Sequence, residues 1–228
     1  LEGIKIELLD VMGNDSSVSN SARVSFNKWK EEFDESDAKL IKYLASHKHM
    51  TPFRHTQIQL RCKAPIFLVR QLGKHQAGLS WNEVSRRYVK TEPEFFTPER
   101  WRSAPEGSIK QGSSGFVEDT LMFDTEYFHE WSEYDKDDIT TAYSYIIDES
   151  LRMYNQFIDK GVAPEMARMI LPQSMQTEWI WSGNVLAFAH VYKERIASGA
   201  QLEAQEFAKE LDKVIRPMFP VAWSALVD

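Results

Sequence analysis

The sequence predicts an α+β chain, on three observations. Residues 55–64 alternate polar and apolar with period two. Residues 139–160 carry a long amphipathic helical pattern. No segment rich in Gly, Ser or Pro is long enough to divide the 228 residues into separately linked domains. Strands of five to ten residues among longer helices place a small sheet with helices around it.

The elements follow in order. Residues 4–12 read as a short strand, and Gly13–Asn14–Asp15 as a turn. Asp15 or Ser16 is a candidate cap for a helix through about Ser25. Residues 27–36 are a polar loop, and Ser36–Asp37 starts a helix with Leu40, Ile41 and Leu44 on one face. In 55–64, Gln57, Gln59, Arg61 and Lys63 point one way and Ile58, Leu60, Cys62 and Ala64 the other. Pro65 suits the first turn of a helix through Gln76. Ala77–Leu79 interrupts it, and a second helical stretch carries residues 82–88. Residues 139–160 end at Gly161, Pro164 opens another helix, and residues 176–181 are extended. Ser182–Asn184 can cap a helix through about Ala197, and a last helix covers 201–215.

Charge is unevenly spread. Residues 118–138 hold nine acids and one base, Lys136. That segment is −8 in a chain of −7, which leaves +1 for the rest. Aromatic residues Phe123, Tyr127, Phe128, Trp131 and Tyr134 are interleaved there, so an acidic helical insert is expected at about 103–138 of a single domain, 1–228. Residues 54–102 hold ten Lys/Arg against four Glu. An anionic ligand is therefore compatible with the overall charge, since steering follows local potential. A single-stranded nucleic-acid binder, with Trp81 and Tyr88 as stacking surfaces, would also use that basic stretch, but the total charge opposes it. No apolar run reaches the roughly 18–20 residues of a membrane span, and no signal-peptide pattern precedes the first strand. One cysteine excludes a disulfide framework and a cysteine-based zinc site, and fits a reducing compartment. A cytoplasmic location with no membrane or nucleic-acid partner is expected.

Cys62 falls on the apolar face of its strand, where burial raises a thiol's pKa and makes it inert. His47, His49 and His55 fit no zinc spacing, so no metal is expected. Residues 70–88 form the densest polar stretch. Arg70 and Lys74, Gln71 and His75, and Glu83 and Arg87 are each four apart. Such a set reads either as solvated pairs or as a site for a phosphate and a planar polar ring. Ser85 has no nucleophile-elbow signature, so a hydrogen-bonding role suits it better. Arg168 stands in a mostly apolar helix and needs a partner, with Glu165 available. Asn184 and Arg195 are 11 residues apart, about 16 Å along one helix face. Phe188 and Val191 lie between them, and the pattern fits an elongated ligand or an ordinary amphipathic helix.

Several blocks together resemble the flavin-dependent thymidylate synthases, the thymidylate synthase complementing proteins. They are LLDVMGND, SARVSF, KHMTPFRH, KAPIFLVRQ, SWNEVSRRY, MARMILP and RIASGAQLE. The family's hallmark is R-H-R, seven residues, then Ser within N-E-x-S-x-R. Here Asn82, Glu83, Ser85 and Arg87 match the second half. The first half reads Lys74–His75–Gln76, with eight residues before Ser85 and the extra one around Ala77–Leu79.

The resemblance implies a mixed α/β fold, a small sheet flanked by long helices, in a homotetramer with sites shared between subunits. It implies reductive methylation of dUMP to dTMP. Methylenetetrahydrofolate would be the carbon donor, FAD the hydride carrier and NADPH the reductant, with no enzyme nucleophile. By position it places dUMP on Gln71, Lys74, Glu83, Ser85, Arg86, Arg87, Arg168 and Arg195. It places FAD on His49, Thr51, Lys74, His75, Gln76, Glu83, Asn184 and His190. Arg195, Ser85 and Glu83 are the implied catalytic residues, with Arg195 activating the uracil. His190 stands where the family usually has Asn, and Lys74 replaces an Arg, keeping charge but losing the fork. The altered triplet leaves open a homologue that binds nucleotide and flavin with weakened catalysis.

Overall fold

The computed structural model describes residues 3–89, 91–105, 112–118, 121–125 and 136–228. They form two compact units whose residues alternate along the chain. The larger comprises Ile4–Ala64, Leu68–Glu83 and Glu178–Asp228, and the smaller Leu1–Gly3, Pro65–Phe67 and Val84–Thr177.

The larger unit is built on a four-stranded sheet, order β1-β2-β8-β3. Its strands are β1 (Lys5–Met12), β2 (Gln57–Pro65), β3 (Leu79–Glu83) and β8 (Gln176–Gly183). β1 pairs antiparallel with β2, and β3 with β8. The alternation read in 55–64 holds: Ile58, Leu60, Cys62 and Ala64 are all fully buried. The unit also contains α1 (Asp15–Arg23), α2 (Glu35–Ser46), α6 (Val185–Ile196), α7 (Leu202–Ile215) and α8 (Pro220–Val227). α6 packs on α7 and α8, and α2 on α8 and α1. Between β2 and β3 lies α3 (Ile66–Leu72).

The caps differ from expectation at both ends of this unit. Asn14, not Asp15 or Ser16, caps α1, in a reciprocal capping box with Ser17. Asp15 is instead buried, and its two carboxylate oxygens accept the amides of Val221 and Ala222, each at 2.8 Å. Those are orphan donors in the first turn of α8. α8 lies beyond the last helix expected from the sequence, at 201–215. Pro220 is the N1 residue of a new helix, where a missing N–H is harmless.

α3 ends at Leu72, four residues before the expected Gln76, so Lys74 and His75 lie beyond the helix and are not on its face. The expected helix over 82–88 is also absent. Its first two residues complete β3, and Arg86–Tyr88 form a turn. Cross-strand pairing overrides local propensity here. Trp81 lies opposite Trp181 and diagonal to Trp179 on one face of the ladder. Trp81 stacks on Trp179 at 4.4 Å between ring centroids, and Trp179 stacks in turn on Phe207 of α7. Gly183 makes the approach possible, since a Cβ there would stand 2.7 Å from the Gly78 carbonyl.

The smaller unit contains α4 (Ile139–Asp159), α5 (Pro164–Ala167) and two short ribbons. β4 (Arg102–Ser103) pairs with β5 (Ser114–Phe116), and β6 (Met122–Asp124) with β7 (Lys136–Asp138). Where the acidic insert is described it is therefore strand, not helix. Asp124 faces Lys136 across the β6–β7 ladder, and Thr125 donates to Asp137, contacts that aromatic spacing along one chain does not reveal. Tyr127, Phe128, Trp131 and Tyr134 lie outside the described residues. α4 begins at an Asp138 cap and ends before Gly161, whose φ is +83°. Phe67 and Phe96 pack edge to face, and Tyr143 donates to the Phe96 carbonyl at 2.7 Å.

Asp15→Ala orphans two amides at the start of α8, that of Ala222 buried and that of Val221 half-buried. The expected loss is about 1–2 kcal/mol of unfolding free energy, read as a lower urea midpoint at unchanged slope.

Candidate functional site

Two clefts open in the larger unit. The first, about 460 Å³, is lined by Arg23, His49, Thr51 and His55 together with Phe26 and Tyr43. Two of the sequence-predicted residues, His49 and Thr51, thus share a wall. Thr51 opens a 3-10 turn, Thr51–Arg54, after Lys48 takes a left-handed backbone with φ +58°. Arg23 is held from behind by the Asp37 carboxylate, which is buried and also bound by Lys30 at 2.8 Å. Burial opposes the charge on Asp37, yet its hydrogen-bond partners, Lys30 foremost, hold it below the usual carboxylate range. At the rim Phe26 is 77% exposed.

The second cleft, about 370 Å³, is lined by Arg70, His75, Gln76, Trp81, Glu83 and Trp181. The Trp81 indole donates to the Glu83 carboxylate at 3.3 Å. Gln76–Leu79 is a tight turn, with the Leu79 amide donating to the Gln76 carbonyl at 3.1 Å and Gly78 at φ +74°. The extra residue expected around Ala77–Leu79 would fall in this turn.

His75 connects this cleft to Arg195. The Arg195 Nε donates to His75 Nε2 at 3.0 Å, and its Nη2 donates to the main-chain carbonyl of Gln71 at 3.2 Å. An Nε2 that accepts requires a neutral imidazole with its proton on Nδ1. Burial lowers the His75 pKa, and the Arg195 charge lowers it further. Gln71 donates from its side-chain amide to Gln201 at 2.7 Å, and Gln201 donates to Glu203 at 2.8 Å. The fold thus brings Gln71, His75 and Arg195 together, though only 195 stands on a long helix.

Asn184 caps α6, accepting the Ala187 amide at 2.9 Å, while Phe188 and Val191 are fully buried. The face between Asn184 and Arg195 is therefore core, and does not line a ligand. Lys74 and His190 are exposed. Cys62 is 0% exposed and burial pushes its thiol up, so it is no nucleophile.

Four predicted residues belong to the smaller unit. The Ser85 hydroxyl accepts from Arg87 Nε at 3.1 Å. The Arg87 guanidinium lies over the Tyr88 ring, and Arg86 donates to the Thr91 carbonyl. Arg168 is exposed, and its Nε donates to the main-chain carbonyl of Glu165. The helix there is only Pro164–Ala167, followed by a 3-10 turn, so the need to pair a buried charge does not arise.

Sequence reasoning missed Arg23, Gln201 and Glu203. A helix at 202 with no Ser, Thr, Asn or Asp before it was the available signal for Gln201.

The model of the family described as thymidylate synthase complementing protein matches residues 7–221, a span that runs through both units. The chain belongs to that family. The flavin-dependent thymidylate synthase of Kosmotoga olearia is 35% identical over 227 residues, 98% of this chain and 90% of that one. That of Thermus thermophilus is 33% identical over 220 residues, 96% and 74% of the two chains. Among solved structures, the UMP/dUMP methylase PolB from Streptomyces cacaoi, bound with 5-Br dUMP, superposes with a TM-score of 0.79 at 26% identity. It covers 97% of this chain and 93% of its own. That methylase shares the mixed α/β fold of the present chain.

His75 supplies a pH prediction. Its folded pKa lies below the unfolded value of 6.5, so the unfolded chain binds more protons between the two. The stabilisation is complete above pH 6.5 and is lost as pH falls below it. The His75 ring resonances should titrate below 6.5 in the folded protein, and a midpoint at or above 6.5 contradicts the neutral, Arg195-bound ring.

Proposed function

We propose that this chain catalyses the reductive methylation of dUMP to dTMP, as a flavin-dependent thymidylate synthase. Methylenetetrahydrofolate is the carbon donor and NADPH the reductant. The observation that carries the reading is Arg195, a guanidinium fixed by two acceptors beside the Lys74–His75–Gln76 turn. C5 of uracil is a weak nucleophile. A preorganised guanidinium at the N3/O2 edge favours the anionic, enolate-like ring, so no thiolate has to add at C6. The sealed Cys62 agrees with that route.

The remaining roles are those the family resemblance implies by position, and side-chain chemistry supports them. Arg87, with a forked donor, suits the 5′-phosphate, and Arg86, Arg168 and Lys74 add positive charge. Gln71, Glu83 and Ser85 supply polar contacts to base and sugar. Arg23, His49, Thr51 and His55 beside Phe26 and Tyr43 put cationic, hydrogen-bonding and aromatic groups on one cleft wall. That donor set fits FAD, which carries both phosphates and a planar ring. His75, Gln76, Glu83, Asn184 and His190 complete the flavin contacts of this reading. When bound, the flavin supplies the hydride. A homotetramer of single-domain subunits, with sites shared between them, is part of the proposal. Exposed Val24, Phe26 and Trp29 support it, as apolar side chains grouped in sequence that a partner would cover.

Purified protein should load FAD, bleach with NADPH, and release tritium from 5-labelled dUMP when folate is present. Flavin and dUMP binding with no tritium release would favour the weakened homologue instead. Arg195→Ala should lower turnover roughly 30- to 1,000-fold, equivalent to about 2–4 kcal/mol. Cys62→Ala should keep turnover within about twofold; a folded but inactive variant would reopen thiolate chemistry.

A further inference from the structure

We propose that Gln201 and Glu203 are positioning residues that fix which end of the Gln71 amide faces the nucleotide. The inference rests on the reading of Gln71 as a nucleotide contact. A Gln side chain has one acceptor and one donor end, and packing alone hardly distinguishes them. Hydrogen-bond polarity does. Glu203 is 2% exposed and stands in the first turn of α7, where the helix amides favour negative charge. A carboxylate only accepts, so the amide nitrogen of Gln201 must face it, as it does at 2.8 Å. Gln201 Oε1 is thereby turned the other way, and it accepts from Gln71 Nε2 at 2.7 Å. One N–H of Gln71 Nε2 is taken by Gln201, which holds the nitrogen end against Gln201 and presents Oε1 as the end that meets a ligand.

Each link in this chain removes one rotational choice. The outcome is a single acceptor, presented by the same residue whose main-chain carbonyl holds Arg195. Gln71 therefore shows opposite polarity to its neighbour: Arg195 offers donors and Gln71 an acceptor. That pair suits a ligand edge that alternates acceptor and donor. On dUMP the donor is the imide N3–H or the 3′-hydroxyl, and both are met by the same chemistry.

Three variants test the relay. Gln201→Met removes the link and leaves Glu203 in place. Glu203→Gln removes the group that sets the polarity. The swap of both, Gln201→Glu with Glu203→Gln, again puts an acceptor-only group opposite Gln71 Nε2. Both single variants should weaken dUMP binding about fivefold to tenfold, and the swap should return it to within about twofold of the parent. A purely structural role for a buried acid at 203 predicts no such rescue. The loss in Gln201→Met should vanish with either N3-methyl-dUMP or 2′,3′-dideoxyuridine monophosphate, which identifies the donor. If it persists with both, the proposal is wrong.

A second readout needs no nucleotide. The Gln71 side-chain amide protons, followed by ¹⁵N-edited NMR, should exchange slowly in the parent and the swap, and rapidly in both single variants. An amide signature unmoved by Glu203→Gln overturns the relay. A responsive signature in a protein that binds no dUMP upholds the relay and removes the functional reading instead.

Discussion

The stack of Trp81 on Trp179 is the contact on which the larger unit's site depends. It makes residues 79–83 an edge strand although their neighbours carry helical spacing. With β3 laid along β8, the chain leaving α3 at Leu72 has only six residues in which to turn back. Those six include Lys74, His75 and Gln76. The turn is therefore short, and the His75 ring is delivered to the C-terminal end of α6, where Arg195 stands. Phe207 continues the stack and anchors α7, whose first turn holds Glu203. Both ends of the hydrogen-bonded network around Gln71 are thus referred to one aromatic column.

Charge follows geometry in the same region. Arg195 is bound by a ring nitrogen and a carbonyl, neither of which carries a negative charge. Its positive charge is oriented without being neutralised, and remains available to an anionic ring. Arg23 at the first cleft is the opposite case, backed by an ionised Asp37. One arginine is kept electrophilic and the other is held mainly in place.

Legibility in the sequence tracked the range of the deciding interaction. The β2 alternation, the Asn184 cap and the Gly161 stop are local signals, and each was readable. The short end of α3 and the strand at 79–83 depend on Trp81 meeting residues about 100 positions away, which no window of sequence contains. The Asp15 carboxylate was legible as a helix-starting residue, but its partners on α8 were not. Among the proposed site residues, the motif blocks brought Arg195 and Ser85 forward. Gln201 and Glu203 remained hidden because their importance lies in hydrogen-bond direction.

The capping of α8 by Asp15 joins residues 206 and 207 positions apart. During synthesis the acid at position 15 leaves the ribosome long before residues 221 and 222 exist. α1 must then wait, with a hydrated carboxylate, until α8 has been translated. The larger unit closes only after α8 emerges, and its assembly is slowed by the loop that has to be drawn shut.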